Sequence, residues 1–473
     1  MMVAAHWGEI CGPERNKVMG IDTEAVVTRD TDAAYIMECI EDGDCCSVVG
    51  LSNTGKSTLL RSITLPAAKR RYLGDRADDY IFVYIDFNLM LELTEQGFYE
   101  LILRSTLAEL KKLEIEPGLL DRVEASYRQL VEPANPFLVP LSFNEGLTAI
   151  SETLKQRLVF LFDEFDEAFA GLDERIFLNL RALKDKYGPR LSYVVATDQP
   201  LRELQRGAKV GEFCELFAPN VLFLSPLRRD DAELLIAQFA QEEEMEFSAD
   251  DVAFIISQAG GHPGLLGATC RVLAEVSGDY PDLYWEQGYK LTRERLDSDV
   301  SIRTECAKLW NGLTAEEQEA LVAFVSKPGK PLDSELERSL CQKAIIMKKE
   351  SEPFVFGQLF EGFARRQRLV RRHKPQGVWV DVESGDVWVD GELAPTLTDL
   401  EYRLMLLLYG HLDKICDKYQ IVEAVWGQDY IDEVDDARIE KLVARLRRKI
   451  EPDPSEPRYL ITVRGRGYRL VSP

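Results

Sequence analysis

Short apolar runs alternate with helix-patterned stretches over residues 21–225. Five runs stand out, at 47–49, 80–85, 157–162, 191–196 and 221–224. They are continuous rather than alternating, the pattern of strands covered on both faces, so they predict a parallel sheet with helices between its strands. From Pro226 the apolar period turns helical and no strand is needed, and an all-helical region is expected over 226–299. Residues 300–364 mix helices with a short hairpin-like stretch at 344–347 and 353–356. There Thr314 and Glu317 have the spacing of a helix N-cap and its capping-box partner. Beyond residue 376 a small hairpin, Val378-Trp379-Val380 with Val387-Trp388-Val389, precedes three helices. The first opens at Thr398 with Glu401 three residues on, and the others are expected at 419–426 and 435–450. A last hairpin is expected within 458–470.

At 473 residues, a prior of roughly 150 per domain suggests about three domains. The pattern divides them as a lead-in over 1–20, an α/β core over 21–225, helices over 226–299, a mixed module over 300–364, a linker over 365–375 and a final domain over 376–473. Apolar residues make up 45%, enough for each domain to bury a core. The formal net charge of −24 argues against a uniformly basic nucleic-acid packager, though a local basic face is still allowed. No apolar run is long enough to span a membrane, and residues 1–20 lack the pattern of a signal peptide, so a cytoplasmic protein with no membrane partner is expected. Nine cysteines without a C-x-x-C spacing read as reduced thiols, and four histidines offer no metal-ligand spacing.

The run at 47–49 leads into Gly50-Leu51-Ser52-Asn53-Thr54-Gly55-Lys56-Ser57-Thr58. This is G-x-x-x-x-G-K-[ST] between an apolar strand and an apolar helix, the spacing of a phosphate loop. Gly50 and Gly55 permit the tight turn that aims successive N–H groups at phosphates, with Ser52, Asn53, Thr54 and Thr58 completing the cradle. Lys56 is placed to reach the β- and γ-phosphates of ATP or ADP, and Ser57 to hold Mg²⁺. A partner acid should end another buried strand, and Asp163 after 158–162 supplies it as the second Mg²⁺ group. Glu164 would orient the attacking water, and Thr197, at the end of 191–196, would stand near the γ-phosphate. Asp166 and Glu167 read as a solvated helix start.

These motifs, with Gly260-Gly261-His262-Pro263-Gly264-Leu265-Leu266, resemble the STAND class of AAA+-related P-loop switch ATPases over about residues 21–290. The resemblance implies that residues 226–299 form a helical lid in which Pro263 packs near the adenine, and that 300–364 is a winged-helix module. It also implies a closed ADP state and an ATP state that self-associates. No sensor or finger arginine stands out. Arg190, Arg202 and Arg271 are candidates that read as surface or packing residues, so a slow ATPase is expected.

The last domain is similar to the OmpR/PhoB-type winged-helix DNA-binding family. It carries L-T-x-x-E-Y from Leu397, A-V-W-G from Ala424, R-L-R-R-K from Arg445 and T-V-R-G-R-G-Y-R-L from Thr462, in that order. Charge is segregated independently of that resemblance. Residues 437–473 hold ten Lys or Arg against four Asp or Glu, whereas 375–436 hold three against fifteen. The resemblance implies that Arg438, Lys441, Arg445 and Arg448 face a DNA groove and that Arg464, Arg466 and Arg469 belong to a wing. Arg447 is assigned to structure or backbone contact. Ala437 and Leu442 depart from the family pattern, so sequence specificity does not carry over.

The combined expectation is an ATP-dependent switch that regulates transcription by binding double-stranded DNA, triggered by an unidentified protein or ligand. The alternatives are a STAND-type defence or stress ATPase whose end domain docks an effector or binds DNA non-specifically, and an Orc/Cdc6-like DNA-remodelling ATPase.

Overall fold

The computed structural model describes residues 29–113, 115–204, 210–243, 245–280, 285–326, 332–350, 352–372, 377–380, 386–426 and 436–471. The expected lead-in over 1–20 lies outside them. The chain divides into two units, residues 1–238 with 342–344, and residues 239–341 with 345–473. The break falls inside the helix Arg229–Glu242.

The first unit is built on five parallel strands, β1 Cys46–Val49, β2 Tyr80–Asp86, β3 Arg157–Asp163, β4 Leu191–Thr197 and β5 Val221–Phe223. All five match the apolar runs. Their order across the sheet is β2-β3-β4-β1-β5, with Val49 opposite Thr197 and Asp86 opposite Asp163. Alternate side chains enter two separate cores. Ile81, Val83, Ile85, Phe160 and Phe162 join one with the helices Glu95–Leu110, Leu138–Thr153 and Glu174–Tyr187. Tyr80, Phe82, Val159 and Leu161 join the other with the helices Asp30–Asp42 and Lys56–Thr64. Burial on both faces explains why the strand sequences are continuously apolar.

An aromatic cluster fixes the carboxyl end of β3. Phe162 lies 5.2 Å from Phe165 and 5.4 Å from Phe87, ring centre to ring centre, and Phe87 lies 5.1 Å from Phe165. These rings bracket Asp163 and Glu164 on both sides in sequence, so the acidic turn is held by packing on its strand and on the helix Phe165–Gly171.

In the second unit the helices Ala249–Ala259, Pro263–Asp279 and Trp285–Ser298 fill the expected helical region. Helices and a short hairpin follow over residues 300–364. The helix Ala315–Ser326 is capped by Thr314, whose N–H donates to Glu317 at 2.7 Å, and β6 Ile346–Lys349 pairs antiparallel with β7 Glu352–Val355. The helix Gln358–Arg372 runs through most of the segment expected as a linker over 365–375, and residues 373–375 lie outside the described residues.

The final domain opens with β8 Val378–Val380, β9 Val387–Val389 and β10 Glu392–Leu393, a three-stranded antiparallel sheet. The helices Asp399–Gly410, Lys418–Val425 and Asp436–Ile450 follow, then the hairpin of β11 Leu460–Val463 and β12 Gly467–Leu470. This is a winged-helix arrangement, with the hairpin as its wing. Among the described residues no helix is long and apolar enough to cross a membrane.

Candidate nucleotide site and DNA-facing surface

The loop between β1 and the helix Lys56–Thr64 runs across the carboxyl ends of β1 and β4, where open α/β sheets bind their ligands. Gly50 donates its N–H to the carbonyl of Thr197 at 3.1 Å, which ties the loop to β4. A Cβ at Gly50 would stand 2.7 Å from the Thr54 hydroxyl, so the turn closes only around glycine. Asn53 and Gly55 adopt left-handed backbone conformations, φ 57° and 97°. Thr54 is buried, and its hydroxyl donates to the Leu51 carbonyl at 2.8 Å. Ser52 and Ser57 are half-buried, and Asn53 and Thr58 are exposed along the loop and the first turn of the helix. The fit to a phosphate cradle rests on this tight glycine-dependent turn, which leads directly into a helix N-terminus.

Lys56 is buried. Its ammonium donates to the carbonyls of Gly50 at 2.6 Å and Leu51 at 3.3 Å, and to Asp198 Oδ1 at 2.5 Å. Asp163 is also buried and accepts a hydrogen bond from the Tyr84 hydroxyl, whose pKa is raised by burial and by that carboxylate. Arg61 lies over the Tyr84 ring, 5.0 Å from its centre, and 3.6 Å from Asp86. Glu164 follows in a left-handed conformation, φ 54°, and its N–H donates to Asp163 at 3.1 Å. Desolvation raises the Glu164 carboxyl, with Asp163 and Asp198 adding to the rise and Lys56 opposing it. Lys56, Asp163 and Glu164 therefore lie at one end of the sheet, as the spacing predicts.

Thr197 stands at the expected strand end, but its hydroxyl turns into its own loop and donates to the Gln199 carbonyl at 2.7 Å. The next residue, Asp198, reaches the lysine instead, and its N–H donates to Asp166 Oδ1 at 2.9 Å. Burial, then Asp198, push the Asp166 carboxyl up to about 6. Asp166 does lie at a helix start, where it is half-buried and hydrogen-bonded to the Asp198 backbone. The signal available in the sequence was Asp198, a charged residue directly after the strand Leu191–Thr197.

Arg29 was also passed over. It is 6% exposed, and one guanidinium nitrogen donates to the carbonyls of Thr54 at 2.7 Å and Ser225 at 2.8 Å while another pairs with Asp32 at 3.1 Å. Its backbone N–H donates to Asp231 at 3.0 Å. One arginine thus joins the phosphate loop to the segment that follows β5. Its nearest sequence signal was a lone cation among acids, Arg29-Asp30-Thr31-Asp32, at a helix start.

Pro263 occupies the first turn of its helix in the second unit, behind the N-cap His262. Arg190 donates to the carbonyls of Ser151 at 2.6 Å and Leu154 at 2.5 Å, a packing role, while Arg202 and Arg271 are exposed.

In the final domain the helix Asp436–Ile450 buries Ile439, Leu442, Val443, Leu446 and Ile450. That phase leaves Arg438, Lys441, Arg445 and Arg448 exposed at i, i+3, i+7 and i+10, one continuous basic face. Arg464 and Arg466 are exposed at the wing, whereas Arg469 is half-buried with its Nε shut away from solvent. Arg447 donates to the Leu460 carbonyl at 2.6 and 3.0 Å and to the Thr462 hydroxyl at 2.8 Å, locking helix to wing. Lys449 is drawn to the buried Glu401 at 2.7 Å, and Arg445 Nε stands 3.8 Å from the same carboxylate. Arg438, Lys441 and Arg448 are therefore left on an outward face, Arg445 is exposed at its edge beside Glu401, and Arg447 and Lys449 are spent on the fold.

The family model described as Novel STAND NTPase 1 matches residues 21–384, and that described as Transcriptional regulatory protein, C terminal, matches 392–470. A probable transcriptional regulatory protein of Picosynechococcus is 35% identical over 129 residues, 25% of this chain and 50% of the relative. The sensory transduction protein RegX3 of Mycobacterium leprae is 41% identical over 93 residues, 20% of this chain and 46% of the relative. The chain thus spans about half the length of these curated relatives. Among solved structures, a Walker-type ATPase of Pyrococcus abyssi aligns with a TM-score of 0.46 at 14% identity, over 71% of this chain and 95% of that one. With the first match covering most of its length, the chain belongs to the novel STAND NTPase 1 family, and it ends in a transcriptional-regulator C-terminal domain of the OmpR/PhoB type.

Proposed function

We propose that this protein is an ATP-dependent switch that regulates transcription through sequence-specific binding of double-stranded DNA. The observation that carries the reading is the presence in one chain of a glycine-built cradle around a buried lysine and a helix with one exposed basic face. In the cradle, Lys56 would neutralise phosphate oxygens, and the N–H groups around Gly55 would bind them. Ser57 and Asp163 would hold Mg²⁺, and Glu164 would orient water. Bound Mg²⁺ would supply charge neutralisation. With no arginine assigned to the transferred phosphate, turnover would be slow, and the nucleotide would act by occupancy. Arg438, Lys441, Arg445 and Arg448 would enter a groove, with Arg464, Arg466 and Arg469 at the flanking backbone. Nucleotide-driven self-association would bring two such domains together and raise affinity through effective concentration.

The test is selection of bound duplexes from a random DNA pool by the full chain, run in parallel with a non-hydrolysable ATP analogue and with ADP. Enrichment of a motif with the analogue alone, lost in Lys56→Ala, is the expected result. A motif enriched equally under both conditions would overturn nucleotide control of binding. No motif under either would overturn sequence-specific regulation and favour a defence ATPase with a docking domain.

A further inference from the structure

The ion pair between Lys56 and Asp198 has no part in the function proposed above. Lys56 is 5% exposed, and a buried ammonium needs a charged or strongly polar partner. Two backbone carbonyls supply hydrogen bonds but no charge. Among the described residues, Asp198 is the carboxylate within ion-pair distance of Lys56, at 2.5 Å. The Asp198 side chain is itself 48% exposed, so its other face has water to turn into. Its backbone is held separately, because its N–H donates to Asp166. The carboxylate can therefore leave the lysine without the loop leaving the site.

An incoming phosphate presents Lys56 with the same kind of group that Asp198 already offers, an anionic oxygen. Both cannot stay without crowding negative charge, since Asp163, Glu164 and Asp166 lie on the adjoining turn. We propose that Asp198 is a built-in competitor for phosphate at Lys56. It occupies the lysine while the cradle is empty, gives way when phosphates enter, and returns when they leave. Asp198 is thereby a positioning residue that sets the nucleotide concentration at which the cradle fills. This rests on the reading of the loop as a nucleotide site. A charge-assisted hydrogen bond lost on binding weakens the ligand by about ten-fold when one partner is half exposed.

The experiment is equilibrium titration of the full chain with fluorescent ADP and, by competition, with inorganic pyrophosphate. Wild type is compared with Asp198→Asn, Asp198→Ser, Asp198→Glu and Lys56→Ala. Both neutral variants are expected to bind each probe about ten-fold more tightly than wild type, and the second covers a failure of the first to fold. Asp198→Glu restores the carboxylate and is expected to fall within about three-fold of wild type, which a merely structural role for Asp198 would not produce. If wild type binds, Lys56→Ala does not, and the neutral variants bind no more tightly than wild type, the competitor role is overturned while the nucleotide reading stands. If wild type binds neither probe, or Lys56→Ala binds equally well, the nucleotide reading falls and the competitor role with it.

Discussion

Replacing Arg29 by alanine tests whether one buried side chain holds the phosphate loop in shape. The guanidinium donates to the carbonyls of Thr54 and Ser225 and pairs with Asp32, and burial lowers its proton affinity while Asp32 opposes that. Hydrogen bonds from a charged donor contribute about 1.5–3 kcal/mol each. Removing two leaves two carbonyls facing a cavity, and water entering it recovers part of the loss. The net cost is roughly 3–4 kcal/mol, an increase of about 10²–10³ in the local opening equilibrium. Because the guanidinium sits on Thr54, that opening should appear first in the loop and in the helix Lys56–Thr64. Hydrogen exchange of peptides spanning residues 50–64, measured on the full chain, reads it directly. Lysine at this position keeps the charge but cannot fork to both carbonyls, so Arg29→Lys should lose about half as much. Exchange accelerated less than ten-fold in Arg29→Ala would refute the assignment of Arg29 as the clasp of the loop.

Other expectations concern single residues. Because the Asp166 carboxyl is raised to about 6 in the folded chain, the folded state binds its proton more tightly than the unfolded one, so this group's contribution is most favourable below about pH 4 and declines as pH rises through 6. Asp166→Asn should remove that decline and be more stable than wild type by about 1–2 kcal/mol at pH 7.5, as denaturant titrations at pH 4 and 7.5 would show. Arg447→Ala should loosen the wing by about 2 kcal/mol and weaken DNA binding with an unchanged salt slope, whereas Arg448→Ala should flatten the slope by about one unit. Gly467→Ala places a Cβ 2.1 Å from the Cys416 carbonyl at φ 130° and should destabilise the last domain by about 2–3 kcal/mol in tryptophan-monitored melts. Gly465→Ala, at φ 70° with open space around its Cβ, should lose only about 1 kcal/mol in the same melts.

Much of this architecture was legible because it is written in local patterns. Four largely buried strands and the half-buried edge strand β5 announce themselves as short apolar runs, whichever neighbours they later pair with. The caps at Thr314 and Thr398 need only a hydroxyl and a carboxylate three residues apart, and both form as the spacing predicts. The cradle from Gly50 to Thr58 is contiguous in sequence, so its residue types and spacing identify it before any fold is known. The basic face of the last helix follows from a 3.6-residue period imposed on Ile439, Leu442, Val443 and Leu446.

The tertiary structure decided what depends on partners distant in the chain. The order β2-β3-β4-β1-β5 sets β4 between β1 and β3, which brings Asp198 to Lys56 and Asp166 to Asp198 across 142 and 32 positions of sequence. Arg29 finds Thr54 and Ser225 through their carbonyls, and a carbonyl is the same at every residue, so no letter of the sequence marks it as a partner. The same reason separates Arg447 from Arg448. Adjacent and identical, they differ only because the helix phase aims one at the Leu460 carbonyl and leaves the other to solvent. Sequence by itself determined the elements, the glycine-built loop after β1 and the basic outer face of the last helix, since these arise from the order of side chains along the chain. Which charges are spent inside the fold and which are left to meet a ligand was decided only by packing, because backbone acceptors and distant carboxylates become neighbours only when the sheet and the wing have formed.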